Sequence, residues 1–492
     1  MYFGFYISKV FFDKIFTMKN KVIGSVVIFC SLAFFFSFQT SSDSAALALG
    51  FAEVNYTPSV GLDMVGNYRG DDYASRGIHD SLYAKAIVAE GKGGKKTAIM
   101  AVDICFVDQE ATEYLRAYVA DNSDLKAEHI LIHATHTHSG PKCQLDAPQA
   151  KNYLSEAADA IIRANQQLKP TRLLAGRTRE DRVSHNRRLK AVDGTTHMVW
   201  ETFEEGFIEE ALGTIDPEMI TISFEQEGEV TGSLINFGCH PTTLTGNNWL
   251  FSADYPGYIA ESVKKVKGEN FGSMFLNGAC GNVTQVDHVA GFIDTYQECQ
   301  RIGYILGIAA LEAINKSVPL KDDNTVNISS ERVPLKKMTI TDQQFAWAEE
   351  VMERVAREGM PPLQPDGIPN EVYAEKWVEM YQVQDEYDSL EVQVIQIGEF
   401  ALVGLPGEMF NEFGVYIKEN SPFQNTMVVG LANAAAGYFP TEISFTQGPA
   451  GFKPMITGYE TTPGTTYYDI GAGELLAESA VRQLKQLFEL KI

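Results

Sequence analysis

Three of the chain's nine histidines fall within six residues in HATHTHSGP, residues 133–141, and His136 and His138 are separated by a single threonine. An imidazole can donate, accept, titrate or bind a metal, so this density points to a metal site or a proton-handling site. Extended backbone sends residues i and i+2 to one side. The spacing therefore predicts that both rings face one site, one as ligand and the other as hydrogen-bond donor or acid/base. Further on, His240 stands in GCHPTT, Glu408 in LPGEMF and Tyr438 in ANAAAGYFPT. Two histidines and a carboxylate make a catalytic zinc set with a position left for water or substrate. Zinc in such a set lowers the pKa of its water to about 7 and polarises a carbonyl. Taken singly, His240 reads equally well as a cap on the turn before Pro241, Glu408 as an acid at a helix start, and Tyr438 as core. His133 lies inside a strand run and reads as structural, and His129 and His197 carry no signal.

Elements must bring these residues together. Val- and Ile-rich runs bounded by Gly, Asn or Pro predict strands at 96–107, 129–135, 219–224, 230–238, 273–278 and 426–433, and a hairpin over 391–407 turning at Gly398-Glu399. Amphipathic spacing predicts helices at 148–168, 257–267, 298–316, 342–358, 371–390 and 474–490. This is an α/β pattern: a mixed β-sheet core with helices on its faces, in a single large catalytic domain. No repeat of fixed period is visible. The candidate residues each follow a strand run, and ligands in open α/β sheets bind outside the carboxyl ends of strands.

The 492 residues suffice for a large core. A net charge of -24 excludes nucleic acid as a partner, since a phosphate backbone needs Lys and Arg, and it excludes a basic membrane-binding patch. No stable protein partner is indicated. Met18-Lys19-Asn20-Lys21, the apolar run 22–38 and the small residues after it read as a secretory signal or N-terminal anchor over 1–45. Residues 46–492 are the expected catalytic domain, exported to the periplasm or beyond, with membrane contact only through a substrate or an uncleaved N-terminus. The five later cysteines are scattered and odd in number, which is neither a disulfide framework nor a zinc knuckle.

The ordered set of motifs resembles the neutral/alkaline ceramidases. THTHSGP (135–141) is similar to that family's zinc motif, and RGIHDSLYAKAIV (76–88) and AVDICF resemble the segments before it. HNRR (185–188) resembles the Asn-Arg motif, GCHPTT (238–243) the second histidine segment and LPGEMF (405–410) the Pro-Gly-Glu segment. GLANAAAGYFPT (430–441) and GYE (458–460) resemble its tyrosine segments. The resemblance covers residues 48–490 and implies zinc on His136, His240, Glu408 and Tyr438. It implies His138, Arg187 and Tyr459 around the scissile amide. Where the family has Gly-Asp-Val-Ser-Pro-Asn this chain has GNVTQV (281–286), with Thr284 at the serine and Asn282 at the aspartate. The family's C-terminal β-sandwich domain is expected to be absent.

The implied function is a secreted zinc amidohydrolase acting on a small-molecule or lipid substrate, an N-acylated sphingolipid or relative. Asn282 and Thr284 are expected to face the substrate and to weaken turnover of ordinary long-chain ceramides in favour of another N-acylated compound. Alternative readings are a zinc hydrolase of another amide, an ester or an extracellular glycan derivative, and a binding protein without activity.

Overall fold

In the computed structural model of the chain, the described residues are 46–492 apart from 71, 362–368, 450, 452–453 and 491–492. The expected signal segment lies outside them. Twelve main strands form three sheets. In the first, β1 (Ala48–Asn55), β2 (Tyr83–Glu90) and β3 (Lys96–Val102) run antiparallel in sequence, and β4 (Ile130–Ala134) joins β3 in parallel. The crossover between β3 and β4 holds α1 (Gln109–Asp121), and α2 (Ala150–Asn165) packs back over β1 and β2.

The second sheet repeats this plan. β5 (Arg172–Arg179), β6 (Glu218–Gln226) and β7 (Glu229–Phe237) are antiparallel, and β8 (Gly272–Asn277) is parallel to β7. Its crossover helix is α3 (Asp254–Lys267), and α4 (Tyr296–Asn315) covers β5 and β6. The third sheet repeats it again. β9 (Val326–Lys336), β10 (Tyr387–Ile397) and β11 (Phe400–Gly404) are antiparallel and β12 (Asn425–Val429) is parallel to β11. Between β9 and β10 are inserted α5 (Asp342–Glu358) and α6 (Glu371–Val383). The crossover helix is α7 (Asn411–Asn420), and α8 (Ala472–Glu489) covers β9 and β10. The same β-β-β-α-β-α order thus occurs three times. No repeat of period was legible because insertions of unequal length separate the shared elements.

Strand side chains alternate between two apolar environments, as expected where both faces of a sheet are covered. In β3, Ala98, Met100 and Val102 meet α1 and α2, while Ile99 and Ala101 face inward. In β6, Met219 joins the helix side and Ile220, Ile222 and Phe224 face inward. In β11, Ala401 and Val403 meet α7 and α8, while Phe400 and Leu402 face inward. The inward sets of all three sheets form one shared cluster. The architecture is the α/β fold with mixed sheets and outer helices that the sequence predicts.

The hairpin turns at Gly398-Glu399 as expected, with Gly398 at φ 58°. The helix predicted over 371–390 ends at Val383, because Tyr387–Leu390 pair with Val333–Lys336 as the outer end of β10. The strand predicted over 96–107 ends at Val102. Five described cysteines are buried and free. Among the described residues no helix is long and apolar enough to cross a membrane.

Candidate active site

Each sheet contains one parallel strand pair, and the chemistry-bearing residues follow the carboxyl ends of these pairs. The first sheet contributes His136 and His138 after β4. The second contributes His240 after β7 and Thr284 after β8. The third contributes Glu408 after β11 and Tyr438 after β12.

His136 does not continue the strand. Its φ is 76°, in the left-handed region, where a residue bearing a Cβ is strained by about 1–3 kcal/mol. Its backbone N–H donates to the Ile104 carbonyl at 2.9 Å. The extended spacing expected for His136 and His138 is therefore absent, yet the two rings still meet, with centroids 4.7 Å apart. The ribbon Met64–Gly66 paired to Ser139–Pro141 holds the far side of this turn. Gly66, at φ 110°, lies so close to His138 that a Cβ there would sit 2.6 Å from the ring.

Both buried histidines are oriented from behind. His136 Nδ1 donates to the Cys105 carbonyl at 2.6 Å, and His240 Nδ1 to the Cys280 carbonyl at 2.7 Å. Each therefore presents an Nε2 lone pair forward. The two lone pairs converge on Glu408 Oε2, at 3.3 Å from His136 and 2.9 Å from His240. The Tyr438 hydroxyl stands 3.5 Å from His240 Nε2. Two imidazoles and a carboxylate with ligand atoms this close can hold a metal ion. The electrostatics agree. Burial opposes charge on His136, but the Glu408 carboxylate outweighs it and raises the His136 pKa. Burial raises the Glu408 pKa while the two histidines pull it well below its ordinary value. A carboxylate and two buried imidazoles in this arrangement favour a cation between them. Cys105, His136 and His138 form a second possible ligand group. The side of His136 that faces Cys105 is the donating Nδ1 edge, so we favour the set centred on Glu408.

His138 borders the first set without joining it: its Nε2 is 3.4 Å from His136 Nε2, and its Nδ1 is 3.4 Å from Asn67 Oδ1. Burial, with His136 and His240 nearby, holds its pKa well below the usual imidazole value. His133 proves structural. Its Nδ1 donates to the Gly430 carbonyl at 2.7 Å and its Nε2 accepts from the Asn277 N–H at 2.9 Å, tying together strand ends of all three sheets.

Arg187 is clamped by the fully buried Glu460, whose second oxygen holds Arg188. Arg187 Nε donates to Glu460 at 2.7 Å, while its Nη2 is buried without a hydrogen-bond partner. Its guanidinium lies 5.2 Å from the centre of the Tyr438 ring and 5.9 Å from that of Tyr459. A cavity of about 850 Å³ opens over these groups, lined by His138, Arg187, Thr284, Tyr438 and Tyr459 together with Trp200 and Trp249. The Thr284 hydroxyl donates to Gln285 Oε1 at 2.9 Å.

Asn282 does not line this cavity, contrary to expectation. Its Oδ1 accepts from the Asn411 N–H at 2.8 Å at the start of α7, and its Nδ2 donates to Glu412 at 2.8 Å. At Gly281 the backbone lies so close to the Glu408 carbonyl that a Cβ would come within 2.4 Å of it, and from this turn the Asn282 side chain reaches the start of α7. Sequence reasoning missed the loop Gly66–Gly70, which supplies Asn67 and Arg69 to the cavity wall; its flanking glycines were a turn signal. It also left Glu460 without a role.

The profile of the neutral/alkaline non-lysosomal ceramidase N-terminal region matches residues 48–355. Neutral ceramidase of Pseudomonas aeruginosa is 24% identical over 267 residues, 49% of this chain and 37% of that protein. Neutral ceramidase A of Dictyostelium discoideum is 25% identical over 273 residues, with the same shares. The matched stretch thus spans little more than a third of these relatives. Among solved structures, neutral ceramidase from Pseudomonas aeruginosa superposes with a TM-score of 0.67 at 20% identity, over 91% of this chain and 75% of that one. A ceramidase complexed with C2 gives 0.66 at 19% identity, over 91% and 76%.

Proposed function

The chain belongs to the neutral/alkaline non-lysosomal ceramidase family, and on that premise we propose that it is a zinc-dependent amidohydrolase. Its reaction is hydrolysis of the amide of an N-acylated, sphingolipid-like substrate to a carboxylic acid and an amine. The observation that carries this reading is the convergence of His136 Nε2, His240 Nε2 and Glu408 Oε2. His136, His240, Glu408 and Tyr438 are the residues that would hold the zinc. Zinc in a site of this type lowers the pKa of its water and polarises the substrate carbonyl.

The remaining roles follow from position. Arg187 lines the cavity and is fixed by Glu460, so its guanidinium can stabilise the carbonyl oxygen as negative charge develops there. The Tyr459 hydroxyl shares that wall. His138 is kept neutral, and its Nε2 faces the set, so it can carry a proton to the departing nitrogen. The Thr284 hydroxyl contacts the substrate. Residues 46–492 act as one catalytic domain, and residues 1–45 direct export, being cleaved near 41–46.

Purified, unchelated protein is expected to contain one zinc per chain and to release fatty acid from N-acyl substrates, with loss of turnover on chelation and recovery on zinc addition. Turnover indifferent to chelation, or metal-loaded protein inert on every amide tried, would refute the reading. The N-terminal mass of the exported protein tests cleavage, and an intact N-terminus in the membrane fraction would replace the signal with an anchor.

A further inference from the structure

The loop between Gly66 and Gly70 brings to the cavity a second guanidinium that the reaction above does not use. Arg69 is only 7% exposed. Its partners are three main-chain carbonyls: Nε donates to Asn248 at 3.2 Å, Nη1 to Asn67 at 3.3 Å and Nη2 to His138 at 3.1 Å. No carboxylate of a described residue forms an ion pair with it; nearby Asp72 pairs with Arg76. Burial pulls its pKa down. A buried cation without a counter-charge is costly, and proteins normally pair such groups.

Two further features give the missing charge a location. A guanidinium has five N–H donors, so three carbonyl bonds leave one hydrogen on each Nη. Such a pair suits the two oxygens of a carboxylate, sulfonate or phosphate. Arg69 also lines the cavity, whose described wall contains Arg69 and Arg187 and no aspartate or glutamate. In a chain of net charge -24, and with Arg187 already paired to Glu460, Arg69 leaves this wall locally cationic, and a concave site of one sign concentrates ligands of the other.

We propose that the cavity holds an anionic group of the substrate against Arg69. The preferred N-acylated substrate then carries a carboxylate, sulfonate or phosphate on its amine half. The side is set by His138, whose carbonyl Arg69 bonds and whose ring serves the departing amine; this rests on the reaction proposed above. Asn282, which does not line the cavity, takes no part in this choice.

The test is a matched series with one acyl chain: N-dodecanoyl-ethanolamine, which is neutral, against N-dodecanoyl-glycine, N-dodecanoyl-taurine and N-dodecanoyl-phosphoethanolamine. The full zinc-loaded protein is expected to turn over at least one anionic member with kcat/KM about 10-fold or more above the neutral one, and the member favoured identifies the oxyanion. Arg69→Met should remove that advantage and Arg69→Lys should restore part of it. Binding of the same four compounds, read from intrinsic tryptophan fluorescence because Trp200 and Trp249 line the cavity, gives the comparison without turnover and without any variant. Equal Kd and kcat/KM across the series, or preference for the neutral member, would overturn the anion subsite. Tight binding of anionic members without hydrolysis would support the subsite while counting against the proposed reaction.

Discussion

At the scale of residues, the site divides into groups that would hold metal and groups that act beside it, and substitution should separate them. His136→Ala and His240→Ala each remove one of few ligands and are expected to lose bound zinc; full retention in both, by elemental analysis, would refute the set. His138→Ala should keep the metal and lower kcat by ~100-fold or more, the scale of a positioned acid/base. Metal loss in that variant would move His138 into the ligand set. Glu460 is the stability test. It is fully buried between Arg187 and Arg188, and although burial raises its pKa, the two guanidinium groups lower it further, leaving it below the ordinary value. A carboxylate with a depressed folded pKa stabilises the fold above its unfolded pKa of about 4.3, and that contribution is lost as pH falls through the folded value. Glu460→Gln leaves two buried cations poorly paired and should cost about 3–5 kcal/mol. The variant's remaining stability should decline less steeply below pH 4 in denaturant titrations, and a decline as steep as that of the wild type would place the acid sensitivity elsewhere.

At the scale of elements, Asn282 is a support for α7 rather than a determinant of substrate. Asn282→Asp would set a carboxylate 2.8 Å from Glu412, whose own pKa burial already raises. Two carboxyls this close cannot both ionise. The variant is expected to lose roughly 1–3 kcal/mol at neutral pH, with recovery in the double variant Asn282→Asp, Glu412→Gln. A urea midpoint unchanged by the single substitution would show that the two groups do not meet. The error about Asn282 shows what the sequence does and does not encode here. Apolar runs bounded by turn residues expose strands such as Lys96–Val102 and Phe400–Gly404, and motif order exposes His136, His240 and Glu408, because each follows such a strand. Which way a turn residue points depends on what it can reach, and the bonds of Asn282 to Asn411 and Glu412 are long-range contacts that no local pattern records. For the same reason Tyr387–Leu390, polar and beside a helix, reads as its continuation until Val333–Lys336 is seen to pair with it. Arg69 and Glu460 escaped because their roles come from what surrounds them in space.

At the scale of the whole molecule, the three β-β-β-α-β-α units meet at the ends of their parallel strand pairs, and the candidate ligands are distributed among all three. Binding at such a junction favours only the assembled state. Zinc removal should therefore lower Tm, with recovery on reloading; a melting curve indifferent to chelator would mean that the junction holds without it. The same distribution sets a schedule during synthesis. Residues are made in order, so a ribosome-bound chain exposes His136 first, His240 one unit later, and Glu408 and Tyr438 only once the third unit is largely complete. A fragment ending before β11 offers two imidazoles and no carboxylate, so the proposed zinc set cannot be completed on a partial chain. The proposed metal capture thus waits for the third unit, and a loaded centre would certify that the chain was made at least through Tyr438.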